Sequence, residues 1–308
     1  MFERLSSCQC CGSSLFVGLE IPKANDGHRQ RIGAEQASRW VMCAGCSFAF
    51  QNPRPTLAHI ESFYGTSGYR EATPTPITQG YVDFAPHQLN RFHNWLLLNN
   101  YDLRTIRNGT TLDFGCGIGG ATKFLAESNN KNYGVEIDRL LAEFGNKTFP
   151  IEIKHTLAEL PANLSYDIIF SHHAIEHVFD PSEFFRYSQT TLKDNGLLCV
   201  VVPSWRYSNN LSIYDGFDTS DMSMWDHIAL SRWLNKFGFY MTSYLYQNYG
   251  PYERGDWELC VTAVKSERTN ELSFSVEEAV KELCINTPAR CKKPIRPSMG
   301  GEHYGARL

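Results

Sequence analysis

From residue 110 onward, short apolar runs alternate with amphipathic ones. "TTLDFG", "NYGVEI", "IEIK", "YDIIFS" and "GLLCVVVP" are rich in β-branched and aromatic residues and predict strands. Between them the apolar positions fall at helical spacing, at about 119–129, 138–147 and 181–193. Strands alternating with helices predict parallel pairing through crossovers, hence an α/β, Rossmann-like, doubly wound sheet. After Pro203 the pattern is irregular until a helix predicted at about 228–237, "IALSRWLNKFGF". Two further strands, "MTSYLYQN" and "WELCVTAVK", lie near enough in sequence to pair antiparallel. Upstream, residues 56–105 look helical with a break at "TPTPI", and residues 1–55 show only short alternations such as "SFAF" among cysteines. At the other end, Ser275 and Glu278 form a capping box ahead of a Pro- and Lys/Arg-bearing tail. The expected division is 1–55, 56–106, 107–266 and 267–308.

Composition changes this picture little. The 308 residues carry a net charge of −4, which leaves no electrostatic footprint for nucleic acid or an anionic membrane. The start "MFERLSSCQC" lacks the apolar centre of a signal peptide, and "GLLCVVV" is too short to span a bilayer. A cytoplasmic location is the expectation. Cys8, Cys10, Cys11, Cys43 and Cys46 are half of the ten cysteines. In a reducing compartment that clustering points to metal before disulfides. "CQCCG" and "CAGC" place Cys8, Cys11, Cys43 and Cys46 as two C-x2-C knuckles, the pattern of a closed, structural four-thiolate Zn2+ site, with Cys10 left over.

The stretch "LDFGCGIGG" sets glycines between a strand and a helix, where backbone turns sharply and amide groups face a ligand. Gly115, Gly117 and Gly120 also satisfy G-x-G-x-x-G, so the bend alone leaves a dinucleotide open; no Gly-Lys-Ser/Thr makes it a P-loop. Glu136 ends the second strand, where a carboxylate accepts both hydroxyls of a ribose. Asp113, in the first strand, would repel a pyrophosphate and suits an ammonium group.

With "GVEID" and "YDIIFSHHAIEHVFDP", these residues resemble the class I S-adenosylmethionine-dependent methyltransferases over about residues 107–265. The resemblance implies a seven-stranded sheet whose seventh strand lies antiparallel between the fifth and sixth. It implies S-adenosylmethionine held by Asp113, Gly115, Cys116, Gly117 and Gly119 on the methionine side and by Glu136 at the ribose. Thr156 and Leu157 of "HTLAELP" would line the adenine pocket, without the acidic residue common in the family at that place. Ser171 and His172 complete the implied cofactor set. The cysteine ribbon followed by "NPRP" and the pair Phe63–Tyr64 is similar to a branch that methylates nucleotide-linked sugars, polysaccharide units and specialised metabolites.

Acceptor groups are expected beyond the fourth and fifth strands, where Ser171, His172, His173, Glu176, His177 and Asp180 fall. If residues 173–177 make a helical turn, His173 and His177 share a face. The family pattern "EH" falls on Glu176 and His177. Tyr214, Asp226 and His227 follow, and "WDHIALSRWL" resembles the family's segment before its sixth strand. His177 or His227 is the expected base, with Glu176 beside it. The plainer readings are a histidine that holds a loop, one that caps a helix, or a divalent ion on Glu176, His177 and Asp180. Phe92, Trp95 and Tyr101 form an aromatic stripe of core or lid. The leading expectation is a small-molecule methyltransferase with a sugar acceptor; an RNA-modifying enzyme gripping RNA through the ribbon, or a non-catalytic binding module, are the alternatives.

Overall fold

The computed structural model describes residues 2–19, 40–65, 105–120, 130–206, 221–248 and 257–273, with single positions 77, 82, 96, 97, 102, 275 and 277–279. Nearly all of the expected 119–129 helix, most of the 56–106 segment with Phe92, Trp95 and Tyr101, Tyr214, and nearly all of the tail lie outside them. Within the described part, the first helix of that segment, α1, spans Leu57–Gly65.

Each apolar run from residue 110 onward is a strand. They are β6 (Thr110–Phe114), β7 (Lys131–Val135), β8 (Glu152–Lys154), β9 (Tyr166–His172), β10 (Leu192–Pro203), β12 (Phe239–Asn248) and β13 (Trp257–Lys265). Their order is β12-β13-β10-β9-β6-β7-β8. The five strands β6 to β10 run parallel, and β13 enters antiparallel between β10 and β12. β9 and β10 are central and covered on both faces, which is why they read as continuous apolar runs rather than alternations.

Helices α2 (Arg139–Thr148), α3 (Ser182–Thr191) and α4 (His227–Lys236) fall within a few residues of expectation because their starts are chemically marked. Asp138 accepts from Leu140 N–H and Leu141 N–H, and Asp226 accepts from Ala229 N–H, each satisfying amides that the first helical turn leaves unpaired. Ser275 Oγ likewise accepts from Glu278 N–H at 3.3 Å. No helix among the described residues is long and apolar enough to cross a membrane.

The N-terminal part holds a second sheet with β2 (Phe16–Leu19), β3 (Trp40–Cys43) and β4 (Ala49–Gln51). β1 (Phe2–Glu3) pairs with β5 (Arg54–Pro55) beside it. Its fourth strand, β11 (Ser223–Met224), comes from the stretch after Pro203, read in the sequence as irregular. Two residues carry no periodicity, so only the neighbouring strand defines this one. The core does not stop near residue 55 either. Phe48 packs against Trp225 and Trp233, and Trp233 stacks on Phe185 of α3, so one buried cluster runs from Cys8 and Phe16 to Leu112 and Val200.

Candidate functional site

The glycine bend follows β6. Gly115, Gly117 and Gly119 have φ of 76°, 54° and 71°, a left-handed backbone that side-chain-bearing residues rarely adopt. At Gly115 a Cβ would stand 2.2 Å from Cβ of Ala174. Gly115 N–H and Cys116 N–H both donate to Val135 O, at 2.8 and 3.0 Å, which pins the bend over the end of β7. Glu136 is then held by both oxygens: Oε2 accepts from Gly117 N–H (2.9 Å) and Oε1 from Asp138 N–H (2.8 Å). The two backbone amides thus fix the orientation of a carboxylate, the group that accepts from a diol.

Asp113 is 4% exposed behind the bend. Burial first, and then the charge of Glu136, push its carboxyl up to about 8. Two carboxylates sharing one pocket fit a ligand that carries a cation and two hydroxyls. The sign of the linkage is testable. The folded protein retains the Asp113 proton between pH ~4, an ordinary carboxylate value, and about 8. Stability from that proton is therefore complete on the acid side and is lost as pH rises through the window. Thermal melts of cofactor-free protein should fall across this range, and Asp113→Asn should flatten the fall while weakening cofactor binding. A pH profile unchanged by the substitution contradicts the assignment.

Where the adenine pocket is expected, Leu157 is buried at the head of the 3-10 turn Leu157–Glu159. Thr156 Oγ1 donates to Glu159 Oε1 at 3.1 Å, and His155 N–H to Oε2 at 3.3 Å. The acid of "HTLAELP" is thus folded onto its own turn. Ser171, at the end of β9, is buried, and its Oγ has no hydrogen-bond partner among the described residues.

Beyond β9 the expected helical turn is shorter than the sequence suggests: only Ile175–His177 is a 3-10 turn, and His173 has φ 52° outside it. His173 and His177 therefore take different partners. His173 Nε2 lies 2.9 Å from Glu258 Oε2 of β13, and His177 Nδ1 lies 2.9 Å from Asp221 Oδ1. Burial pulls the His173 imidazole down, but its bond to Glu258 and the charges of Glu176 and Glu258 outweigh that and raise its pKa overall. His172 Nε2 stands 3.9 Å from the same Glu258 oxygen. Glu176 is buried beside His177 Nε2 at 3.8 Å. Asp180 accepts from Ser182 N–H at 2.9 Å, just ahead of α3.

His227 opens α4 in a separate group. Tyr246 Oη lies 2.8 Å from His227 Nδ1 and accepts from His227 N–H at 3.0 Å, while Tyr244 stacks on the ring at 4.6 Å. Burial is the main cause lowering its pKa, with Asp226 raising and Arg206 lowering it further. The segment 221–227 links the two groups, since it carries Asp221, Asp226 and His227, and Met222 N–H donates to Glu176 O at 2.7 Å. Sequence reading missed Glu258, Asp221 and Tyr246. Only Glu258 left a signal, an acid opening the apolar run "WELCVTAVK".

Cys8, Cys11, Cys43 and Cys46 come together, with Sγ–Sγ separations of 3.6 Å for Cys8–Cys46 and 3.5 Å for Cys11–Cys43. Zinc–sulfur bonds of about 2.3 Å in a tetrahedron require sulfurs about 3.8 Å apart, so the four thiols fit that ion. The knuckle also reaches the segment that carries His227. Ser47, next to Cys46, donates from Oγ to Asp226 Oδ1 at 2.6 Å, and Arg206 Nε donates to Oδ2 at 3.0 Å. Arg54 of "NPRP" donates to Phe179 O at 2.6 Å with its guanidinium 3.7 Å over the Phe179 ring.

The family described as "Methyltransferase domain" matches residues 81–244. No curated protein matches the sequence. Among solved structures, the chain is similar to magnesium protoporphyrin IX methyltransferase from Synechocystis PCC 6803, solved with bound SAH. That likeness has a TM-score of 0.49 at 14% identity, over 68% of this chain and 100% of that one. It is also similar to an S-adenosylmethionine-dependent methyltransferase from Clostridium acetobutylicum, with a TM-score of 0.42 at 12% identity, over 58% and 98%.

Proposed function

This chain belongs to the methyltransferase-domain family, and on that premise we propose that it transfers the methyl group of S-adenosylmethionine to a hydroxyl of a small molecule, with a sugar or nucleotide-linked sugar as the favoured acceptor. The observation that carries the reading is the pair of carboxylates at the glycine bend. Asp113 would meet the ammonium of the methionine part and Glu136 would accept from the ribose hydroxyls, at a bend built of left-handed glycines. Cys116 lines the bend, with Thr156, Leu157, Ser171 and His172 along the rest of the cofactor. Bound there, the sulfonium supplies an activated methyl carbon and its own leaving group.

The protein's share of the chemistry is to orient the acceptor and remove one proton. His177 fits the base. Its Nδ1–H donates to Asp221, which leaves Nε2 as the proton acceptor, and Glu176 stands 3.8 Å away to steady the imidazolium that forms. His227 fits the orienting role. Tyr246 accepts from its backbone N–H and donates to Nδ1, which keeps the ring proton on Nε2 as a donor toward the acceptor. The net charge of −4 does not favour a nucleic-acid acceptor.

Calorimetry with S-adenosylmethionine tests the cofactor, and mass spectrometry of candidate acceptors for a methyl gain tests the transfer. Wild type should bind, and Glu136→Ala should weaken binding by about 1–3 kcal/mol, the loss of hydrogen bonds to a charged group. A wild type that fails to bind overturns the reading. The cysteine ribbon is proposed to hold one structural zinc. Protein purified without chelator should contain one equivalent by elemental analysis, and Cys43→Ser should lose it and melt at lower temperature, because Cys43 shares the core cluster with Phe48 and Trp233. Zinc-free wild type that melts like the zinc-loaded protein would refute the assignment.

A further inference from the structure

Adjacent residues of a strand send their side chains to opposite faces, yet His172, which ends β9, and His173, just past it, do not part. The left-handed backbone at His173, φ 52°, turns its ring onto that of His172, with centroids 4.7 Å apart and planes 21° from parallel. Both Nε2 atoms then address one oxygen, Glu258 Oε2, and the three atoms lie within 4.8 Å of one another. A non-glycine residue in this conformation is held against a cost, and such positions cluster where a side chain must be aimed.

Glu258 is built in from the other side. It is 1% exposed, and Gln247 Nε2 donates to its Oε1 at 2.5 Å, which leaves Oε2 facing the histidines. The register Val201↔His172 and Pro203↔Glu258 sets the cluster across the end of β10, on the edge of the sheet that also carries the glycine bend. His172 and His173 keep about a fifth of their side chains exposed, so the cluster is reachable from solvent. A second observation lies beside it. Glu176 is 1% exposed, neither of its carboxylate oxygens has a hydrogen bond among the described residues, and its charge acts on His173. A buried carboxylate without donors calls for a nearby cation.

We infer that His172, His173 and Glu258 form a divalent-cation site, distinct from the cysteine ribbon, with its open positions toward the acceptor. Two imidazole nitrogens and one carboxylate oxygen are the donor set of first-row ions such as zinc, iron(II) or cobalt(II). Its use rests on the reading that this edge of the sheet faces the acceptor. A hydroxyl oxygen taken at an open position is held in place and made more acidic beside His177, which narrows the acceptor class to hydroxylated molecules.

Cobalt(II) titration of the full-length protein holding one equivalent of zinc, in the cysteine cluster, tests this by visible absorption, since cobalt on nitrogen and oxygen lacks the sulfur-to-cobalt charge-transfer bands of a thiolate site. Wild type should take up one equivalent with a sulfur-free spectrum. Glu258→Gln should weaken that uptake by about 100-fold, the upper end of what even outer partners of a metal site are worth. His173→Asn, whose short side chain tolerates the left-handed backbone, should weaken it comparably. Wild type that takes up no cobalt outside the cysteine cluster, or either variant binding as wild type does, overturns the site. Calorimetry with S-adenosylmethionine on the same samples reports the methyltransferase reading separately, so one can fail while the other stands.

Discussion

Gly115→Val is expected to leave no measurable S-adenosylmethionine binding by calorimetry, with the protein still folded. Two independent obstacles meet at this position. The backbone sits at φ 76°, which a β-branched residue does not adopt without strain. The new Cβ would also stand 2.2 Å from Cβ of Ala174, where no real contact is so short. Relief by shifting the bend is blocked because Gly115 N–H and Cys116 N–H are both bonded to Val135 O. Relief by moving Ala174 displaces the Ile175–His177 turn that follows it. Gly117, at φ 54°, shares the backbone obstacle and donates to Glu136, so Gly117→Val should also bar the cofactor. Circular dichroism checks the fold; wild-type affinity in both variants would remove the cofactor from this bend.

His177→Ala is expected to lower turnover by about 10²–10⁴-fold, the usual contribution of a positioned base. Affinity for S-adenosylmethionine should stay near that of wild type, because the loss belongs to the proton transfer rather than to the bend. His227→Ala should raise the KM for the acceptor more than it lowers kcat, since an orienting donor acts in the ground state as well. The two variants thus separate the roles by their kinetic signatures. Full turnover in both, with the natural acceptor, means that neither imidazole is needed and that proximity alone carries the rate.

The sheet was legible because each strand is a bounded apolar run, and the starts of α2 and α4 carry a capping Asp. The glycine bend and Glu136 were legible because left-handed turns and strand-end carboxylates are local features of sequence. What escaped is non-local. Glu258 and Asp221 reach His173 and His177 only through the pairing of β13 with β10 and the packing of the 221–227 segment. The shared face expected for His173 and His177 failed for a backbone reason, the positive φ at His173, which no residue-type pattern announces.

β11 has an evolutionary consequence. A strand that completes the N-terminal sheet is borrowed from the chain between β10 and α4, with Ser223 opposite Phe50 and Met224 opposite Ala49. The ribbon is therefore not a cassette that can be transplanted onto another catalytic domain or traded for a relative's. Drift at Ala49 or Phe50 must be answered at Ser223 or Met224, and those residues lie within five positions of Asp221 and His227. With Asp221 and His227 in their proposed roles, selection for a new acceptor runs through the ribbon as well, and the two regions are expected to diversify as one heritable unit.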